Sequence, residues 1–528
     1  MEKILELSQP APTYEVGARK WLITITVITC AIMELIDTSI VNVATRQIAG
    51  NLGATIEETA WVITAYAISN IIIIPLTGFL SNIFGRKVYF TASVILFTLS
   101  SFLCGASGSI EMLIFWRFVQ GIGGGALLAT AQTVLVETFP PEEVDKANGI
   151  FGAGIVMGPT LGPVLGGYLT DNFSWGWIFY VNVPIGIIAT FLSWKYIKGT
   201  KSPLKGRIDY LGILFLIIGI GGLQMVLEEG ERKDWFNSNF ILIFFSLSVA
   251  GIIFFIVREL RVQNPVVDLK ILKNRNVIIG CLLNFAFGIA IYCSVFLYPV
   301  FVQAFLGWNA TLTGLLILPS SFLTGMLMGV NATLLQKGIN PKTLVIIGFT
   351  AVIGYEFITY FLATGQSGEW DWFWPQMIRG FGFGFIFVPV AGLTLSGLKG
   401  DDVAQASGLS NMLRLLGGAV GIAIINTYVT RRISLHRADL MGNISLYNPE
   451  ANERFFGLVK GFQSQGKTLE QAQQMATGAM EGILSTQAAI ISYAEGFLMI
   501  GIICACILPS VFFAKIKKGA IVDVGAAH

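Results

Sequence analysis

Long apolar runs recur along the whole of this 528-residue sequence and leave few folds open to it. Each run is long enough to cross a bilayer as a helix, which takes about 20 residues. Strands of a membrane barrel would be about ten residues long and strictly alternating, and that pattern is absent. The sequence therefore predicts an all-α integral membrane fold with 14 transmembrane helices, over 21–44, 59–80, 88–104, 109–136, 147–169, 177–194, 208–227, 239–257, 277–302, 312–335, 344–363, 372–395, 404–429 and 489–513.

The composition indicates the same class of protein. Charged residues make up 12% of the chain, about half of their usual share in soluble proteins. A soluble protein of this size would need more polar surface, because even large domains keep much of their chain in water. The net charge of +2 gives no sign of nucleic-acid binding. The six cysteines all lie in apolar runs, where we expect them to pack as small apolar residues.

The distribution of basic residues predicts the orientation in the membrane. The amino end, six alternate loops and the tail together carry 22 Lys and Arg, whereas the opposite short loops carry only Arg46, Arg232 and Lys233. Basic loops stay in the cytoplasm. We therefore expect a cytoplasmic amino terminus over 1–20 and a cytoplasmic tail over 514–528.

The two most basic cytoplasmic stretches divide the chain. They bracket an inserted helix pair at 208–257, which leaves one six-helix bundle before it and one after it. Arg117 and Arg379 each lie early in a span and are followed by glycines, so the two bundles look like diverged copies. Secondary transporters are built from such repeats. The predicted domains are an N-terminal bundle over 21–194 and a C-terminal bundle over 277–513, the latter including a periplasmic loop over 430–488.

Charges inside the spans are candidates for function, because burying a charge in a bilayer is costly. Glu34 and Asp37 are spaced i, i+3 and so share one face of the first span. Carboxylates this close repel, and taking up a proton relieves the repulsion. We assign proton coupling to Asp37, Glu34 and Arg117, with the arginine as the fixed positive partner. The alternatives are a structural ion pair between one acid and Arg117, or a structural link from Arg117 to a loop carbonyl.

Further polar residues in the spans are candidates for a substrate cavity. Arg379 is the second-half counterpart of Arg117, and Arg414 either faces the cavity or braces packing. Glu356 and Glu495 lie toward the ends of their spans, where snorkelling to the interface is the alternative. The predicted cavity residues are Asn42, Gln120, Asn284, Glu356, Arg379 and Arg414.

Span five carries an unusual density of glycine and proline. Its glycines recur every fourth residue, which gives one helix face a smooth groove for close packing. Its prolines each remove a backbone donor and bend the helix. We expect this span to pack closely and to flex, and simple packing without a gating role is the alternative. The residues concerned are Gly154, Gly158, Pro159, Gly162, Pro163 and Gly166.

The loop GFLSNIFGRK at 78–87 resembles the loop motif of the major facilitator superfamily, G-x-L-[AS]-D-R-x-G-R-[KR]. Gly78, Gly85 and Arg86 match, and Asn82 stands in place of the aspartate. In the family that aspartate makes charged contacts between the bundles. The resemblance implies a weaker or altered gating contact here.

Three more segments resemble one branch of that superfamily. Arg117–Gly121 is similar to the R-x-x-Q-G motif linked to proton coupling, and the span-five series is similar to the antiporter motif. The segments around Asp37 and around 175–184 resemble signatures of the fourteen-span drug:proton antiporter family, EmrB/QacA-like branch. The resemblance implies a proton-coupled multidrug efflux transporter of the bacterial inner membrane with no cofactor. It also implies a periplasmic membrane-fusion adaptor and an outer-membrane channel as partners.

Other functions are weighed against this one. A dedicated exporter of one metabolite, siderophore or lipid-like compound is the alternative within transport. An ATP-driven pump is suggested by Gly461–Thr468, a full match to the phosphate-binding G-x-x-x-x-G-K-[ST]. That motif requires a strand before it and a helix after it within an α/β domain, and residues 430–488 are too few for one. Neither a catalytic triad nor a metal set appears, so no enzyme is expected.

Overall fold

The structure, a computed structural model, is helical throughout its described part and contains no strand there. Within the described residues, thirteen helices are long and apolar enough to cross a membrane. The predicted all-α membrane fold is thus confirmed. Most of the fifth predicted span, including Pro159 and Pro163, lies outside the described residues, which are 17–140, 143, 147, 151, 154, 158, 161–162, 165–199, 209–262, 265, 269–398, 401–442, 444 and 447–515.

The helices before residue 200 begin and end at recognisable signals. Thr55 caps the second helix by accepting a hydrogen bond from the Glu58 amide, and the Glu58 side chain accepts one from the Thr55 amide. Gly85, at φ 80°, ends that helix in a backbone conformation that other residues rarely adopt. The helices are α1 (Ala18–Leu52), α2 (Ile56–Phe84), α3 (Arg86–Gly105), α4 (Ile110–Thr138), α5 (Trp177–Tyr180) and α6 (Asn182–Tyr196).

The remaining helices include the predicted inserted pair. Its members, α7 (Tyr210–Glu229) and α8 (Asn239–Glu259), are joined through a short 3₁₀ turn at Trp235–Asn237. After them come α9 (Arg275–Phe305), α10 (Ala310–Gln336), α11 (Pro341–Leu362), α12 (Glu369–Leu395), α13 (Asp401–Met441), α14 (Pro449–Ser464) and α15 (Leu469–Ile507).

Helices distant in the chain pack together as well as consecutive ones. α4 lies against α1, α2 and α3, and α6 lies against α1 and α3. In the second part α9 packs on α13, and α12 packs on both α10 and α11. α7 and α8 pack on each other, and α7 also contacts α2. The side-chain amide of Asn411 on α13 donates to the Gln132 side chain on α4 at 2.8 Å, so the two groups of helices also contact each other. The exact domain boundaries stay a prediction.

Two helices extend well beyond a bilayer. α13 has 41 residues and α15 has 39, so each is about 60 Å long against a hydrocarbon core of about 30 Å. Much of the predicted loop 430–488 is therefore helical. Glu495 on α15 accepts two hydrogen bonds from Arg432 on α13, at 2.5 and 2.6 Å. The Glu495 side chain is therefore stabilised by an ion pair with Arg432 and does not snorkel to the interface.

The apparent phosphate-binding motif does not have the backbone that phosphate binding requires. Gly461 lies inside α14, and Thr468 caps α15 by accepting a hydrogen bond from the Gln471 amide at 3.3 Å. The segment Gly461–Thr468 is therefore the end of one helix and the start of the next.

Candidate functional site

The first predicted charge cluster forms around an ion pair between α1 and α4. Arg117 Nη1 lies 2.5 Å from Asp37 Oδ2, and these side chains are 1% and 0% exposed. Asp37 is therefore the acid that Arg117 contacts directly. A pair buried this deeply needs further hydrogen bonds to offset the loss of water around both charges.

Those hydrogen bonds come from three helices. Asp37 Oδ1 accepts from Gln120 Nε2 at 3.0 Å and from Asn182 Nδ2 at 2.9 Å. Arg117 also donates from Nε to the Val62 carbonyl at 3.2 Å. The Asp37 carboxylate thus has three donors, one of them cationic, and these contacts offset part of the cost of its burial. The carbonyl contact of Arg117 that we considered as an alternative is made as well, to a helix rather than to a loop.

Glu34 occupies a different environment four-fifths of a turn away. Its Oε1 accepts from the Tyr66 hydroxyl at 3.2 Å and from Asn70 Nδ2 at 3.0 Å, both neutral donors. Its Oε2 is buried and has no hydrogen-bond partner among the described residues. The Arg117 guanidinium lies 4.1 Å from the centre of the Tyr66 ring, so Tyr66 connects the two acids. The i, i+3 spacing predicted that Glu34 and Asp37 share one helix face. In the structure Asp37 is bound to a cation and Glu34 is not.

Sequence reasoning did not assign three members of this network. Asn182 was visible in the segment that resembles a family signature, which was a usable signal. Tyr66 and Asn70 are spaced i, i+4 on α2 and so share a face, but nothing in the sequence pairs that face with Glu34. Only the packing of α2 beside α1 brings them together.

The second-half charges form a separate buried cluster. Glu356 on α11 is 0% exposed, so it does not snorkel to an interface. Its Oε1 lies 2.5 Å from the Ser294 hydroxyl on α9. Arg379 on α12 is 2% exposed and donates from Nη2 to the Ser320 hydroxyl at 3.2 Å. Arg379 is thus buried as its proposed counterpart Arg117 is.

The other predicted cavity residues lie at helix contacts. Asn284 donates to the Ser410 hydroxyl at 2.8 Å, which links α9 to α13. The Arg414 guanidinium is buried and lies 5.1 Å from the centre of the Phe387 ring. A substrate role for Asn284 and Arg414 stays a prediction. The side chains of Asn42 and Asn82 lie outside the described residues.

The glycines of span five face α1. A Cβ on Gly158 would lie 2.5 Å from Leu35 Cβ, and one on Gly166 would lie 2.8 Å from Ile40 Cγ1. Gly162 meets the Ser39 side chain still more closely. Gly121 shows the same closeness to α2, because a Cβ there would lie 2.5 Å from the Tyr66 carbonyl. The groove predicted from fourfold spacing therefore receives the helix that carries both acids.

We expect Gly158→Ala to destabilise the protein by about 1–3 kcal/mol through overpacking. The new methyl group meets Leu35 Cβ, an atom that moves only with the α1 backbone. Gly154→Ala is the matched control, because its methyl meets the ends of the Ile28 and Ile32 side chains at 3.2 Å or more. Thermal unfolding in detergent measures both variants. Equal melting temperatures for the two variants would contradict this account of the groove.

The fold and this site define a multi-pass helical membrane protein with a buried ion pair between two of its candidate spanning helices. Among the described residues, no group of three or more His, Cys, Asp or Glu is placed to hold a metal. The chain belongs to the Major Facilitator Superfamily, whose sequence model matches residues 27–422, and to its EmrB-like branch.

Relatives over nearly the full length support that assignment. Multidrug export protein EmrB of Escherichia coli strain K12 is 37% identical over 97% of this chain and 98% of its own length. Fatty acid resistance protein FarB of Neisseria gonorrhoeae is 34% identical over 96% of this chain and 97% of its own. The solved structure of the proton:xylose symporter XylE has a TM-score of 0.55 at 13% identity, over 92% of this chain and 95% of that one, and shows the shared fold.

Proposed function

We propose that this protein is a proton-driven multidrug exporter, a drug:proton antiporter of the bacterial inner membrane. The observation that carries the proposal is the buried contact of Asp37 with Arg117 at 2.5 Å. A carboxyl group buried beside a cation within the spans can bind and release a proton, and this proton exchange can be coupled to transport of a substrate. The names of the relatives, which include multidrug export, fatty acid resistance and colistin resistance proteins, support amphipathic compounds as substrates.

The mechanism follows from what a proton does to this network. A proton from water on the outer side binds the Asp37 carboxylate and removes its negative charge. The attraction to Arg117 is then lost, and the hydrogen bonds from Gln120 and Asn182 to Oδ1 weaken because the acceptor is neutral. These bonds join α1, α4 and α6, so their weakening changes how the helices pack. Release of the proton into the cytoplasm restores the ion pair, and alternating access between the two bundles couples this cycle to export.

Both termini are proposed to lie in the cytoplasm. The support is the excess of Lys and Arg on the loops of that side. With this orientation, the part of α13 and α15 that extends beyond the bilayer, together with α14, lies in the periplasm.

Purified protein in liposomes tests the proposed function. We expect substrate dyes to move against their gradient only when a proton gradient is imposed, and to stop when a protonophore collapses it. Movement that is equally fast with and without the gradient would contradict proton coupling. A panel of unrelated toxins in a pump-deficient host then separates multidrug export from export of a single compound, because a dedicated exporter protects against one class only.

An ATP-driven cycle predicts a different outcome. Lys467 is exposed between α14 and α15, and a phosphate-binding lysine would be essential. We expect Lys467→Ala to export at the wild-type rate and the wild-type protein to show no ATP hydrolysis. Loss of export in this variant would support the pump instead.

We further propose that the periplasmic helices contact a membrane-fusion adaptor of a tripartite efflux system. The support is the resemblance to the EmrB-like branch and the exposed aromatic side chains of this region, such as Tyr447 at 95% and Phe456 at 55%. The alternative is that these helices only cover the outer mouth of the bundle. Pull-down with a periplasmic adaptor, before and after deletion of 440–480, separates the two: loss of capture with export retained in liposomes supports adaptor binding.

A further inference from the structure

Glu356 and Ser294 make a contact that contains more acceptors than the serine has hydrogens. Ser294 Oγ lies 2.5 Å from Glu356 Oε1 and 2.6 Å from the Ala290 carbonyl oxygen. A hydroxyl group has one hydrogen to donate, and the Ala290 carbonyl has none. An ionised Glu356 would have to share that single hydrogen with the Ala290 carbonyl in a three-centre bond, whereas a neutral acid would bring a hydrogen of its own. Ser294 is therefore the hydrogen-bond donor that Glu356 has among the described residues, and it is a neutral one that the Ala290 carbonyl also engages.

The surroundings of Glu356 agree with a neutral acid. Its Oε2 is buried and accepts no hydrogen bond among the described residues. An ionised carboxylate in that position would be left without the partners that a buried charge requires. Asp37 provides the contrast, because its two oxygens accept three hydrogen bonds and one donor is the Arg117 cation.

The titratable groups that face Glu356 come from every helix packed against it. They are Cys293 on α9, Arg379 on α12, Cys504 on α15 and the neighbouring Tyr355. Buried thiols behave as small apolar groups, so Arg379 is the only cation among the four. It donates to Ser320, and no ion pair joins it to Glu356 within the described part of the chain. Arg379 Nε and Nη1 are buried without hydrogen-bond partners there.

The unpaired arginine and the neutral acid are complementary. The Arg379 guanidinium lies 5.9 Å from the centre of the ring of Tyr355, the residue next to Glu356. Loss of the proton from Glu356 would leave an anion near this cation, two of whose donors have no partner among the described residues. The N-terminal bundle shows the corresponding paired state, with Arg117 bound to Asp37. In both bundles the arginine is on the fourth helix. The acid is on the first helix in one bundle and on the third in the other.

We propose that Glu356 is a second proton-binding site of the transporter, separate from the Asp37 network and occupied in the conformation described. Glu356 takes a proton from hydronium, leaving water, and later releases it to water on the other side of the membrane. Arg379 then stabilises the Glu356 carboxylate until the next proton binds. This inference rests on the proposed function, since it adds one proton to the coupling cycle.

Infrared spectroscopy of the purified protein tests the site without any substrate. We expect a carboxylic acid C=O absorption at neutral pH that shifts in heavy water and loses one component in Glu356→Gln, while any component from Glu34 remains. The same substitution at the exposed Glu453 is the matched control and leaves the absorption unchanged. Ser294→Ala keeps the carboxyl group but removes its partner, so the Glu356 component shifts in frequency. An absorption that neither Glu356→Gln nor Ser294→Ala changes would overturn the proposal. If Glu356→Gln folds poorly, Ser294→Ala alone decides.

Coupling in liposomes gives the functional test. With a tenfold proton gradient and no membrane potential, each coupled proton raises the maximum substrate ratio about tenfold, or about 1.4 kcal/mol. We therefore expect Glu356→Gln to lower that ratio about tenfold and to keep some gradient-driven export, with Glu453→Gln at the wild-type value. An unchanged ratio in Glu356→Gln overturns this inference alone. A wild-type protein that ignores the gradient overturns the proposed function as well.

Discussion

Replacing Asp37 by asparagine is expected to abolish gradient-driven export. Asparagine has nearly the same shape and keeps one oxygen for the hydrogen bonds from Gln120 and Asn182. It has no carboxyl group to exchange a proton, so the cycle loses the step that the gradient drives. We expect dye export in liposomes to fall to the level of protein-free vesicles. Binding of the dye, measured by fluorescence polarisation, is expected to persist.

The matched control is Asp171→Asn, which makes the same change at an exposed position. That variant is expected to export at the wild-type rate. Size-exclusion chromatography in detergent checks that both variants are folded. Undiminished export by Asp37→Asn would show that the proton is carried elsewhere, and Glu34 would then be the first residue to test because it is buried within the same network.

Removing the Arg117 side chain is expected to have the largest effect on stability. Arg117→Ala leaves the Asp37 carboxylate buried with only neutral donors, and breaking a buried pair from one side costs about 3–5 kcal/mol. The contacts of Arg117 with the Val62 carbonyl and the Tyr66 ring are lost too. We expect a large drop in the melting temperature in detergent and no export. Arg117→Lys keeps the charge but not the planar group that makes these contacts, so we expect an intermediate melting temperature.

A double variant separates charge balance from transport. Arg117→Gln combined with Asp37→Asn removes both charges and leaves amide groups that are able to hydrogen bond. We expect most of the lost stability to return, because no buried charge remains unpaired, while export stays absent. If the double variant is no more stable than Arg117→Gln alone, the pair does not contribute through its charges.

The sequence predicted the positions of the helices better than the contacts between them. Each run over a spanning length predicts its helix, because a backbone in lipid must satisfy its own hydrogen bonds. The i, i+3 spacing of Glu34 and Asp37 predicted a shared face. It did not distinguish their roles, since that difference comes from which donors α2, α4 and α6 bring to each carboxyl group.

The long segment before the last span shows a different reason for a missed feature. Residues 430–488 are polar, so hydropathy alone places them outside the membrane and says little about their conformation. In the structure α13 continues to Met441, and α15 begins at Leu469. The pairing of Arg432 with Glu495 needs both extended helices side by side, which no local pattern predicts.

The amino-acid sequence by itself determined the class of fold and the short set of charged residues that a bilayer makes costly. These follow from local composition and from the length of a helix that crosses the hydrocarbon core. Tertiary structure alone decided which of those charges are paired. Arg117 meets Asp37 across 80 residues of chain, whereas Glu356 meets a serine hydroxyl and no cation. The physical reason is that the ionisation of a buried group depends on the donors within a few ångströms, and helix packing brings those from distant parts of the chain.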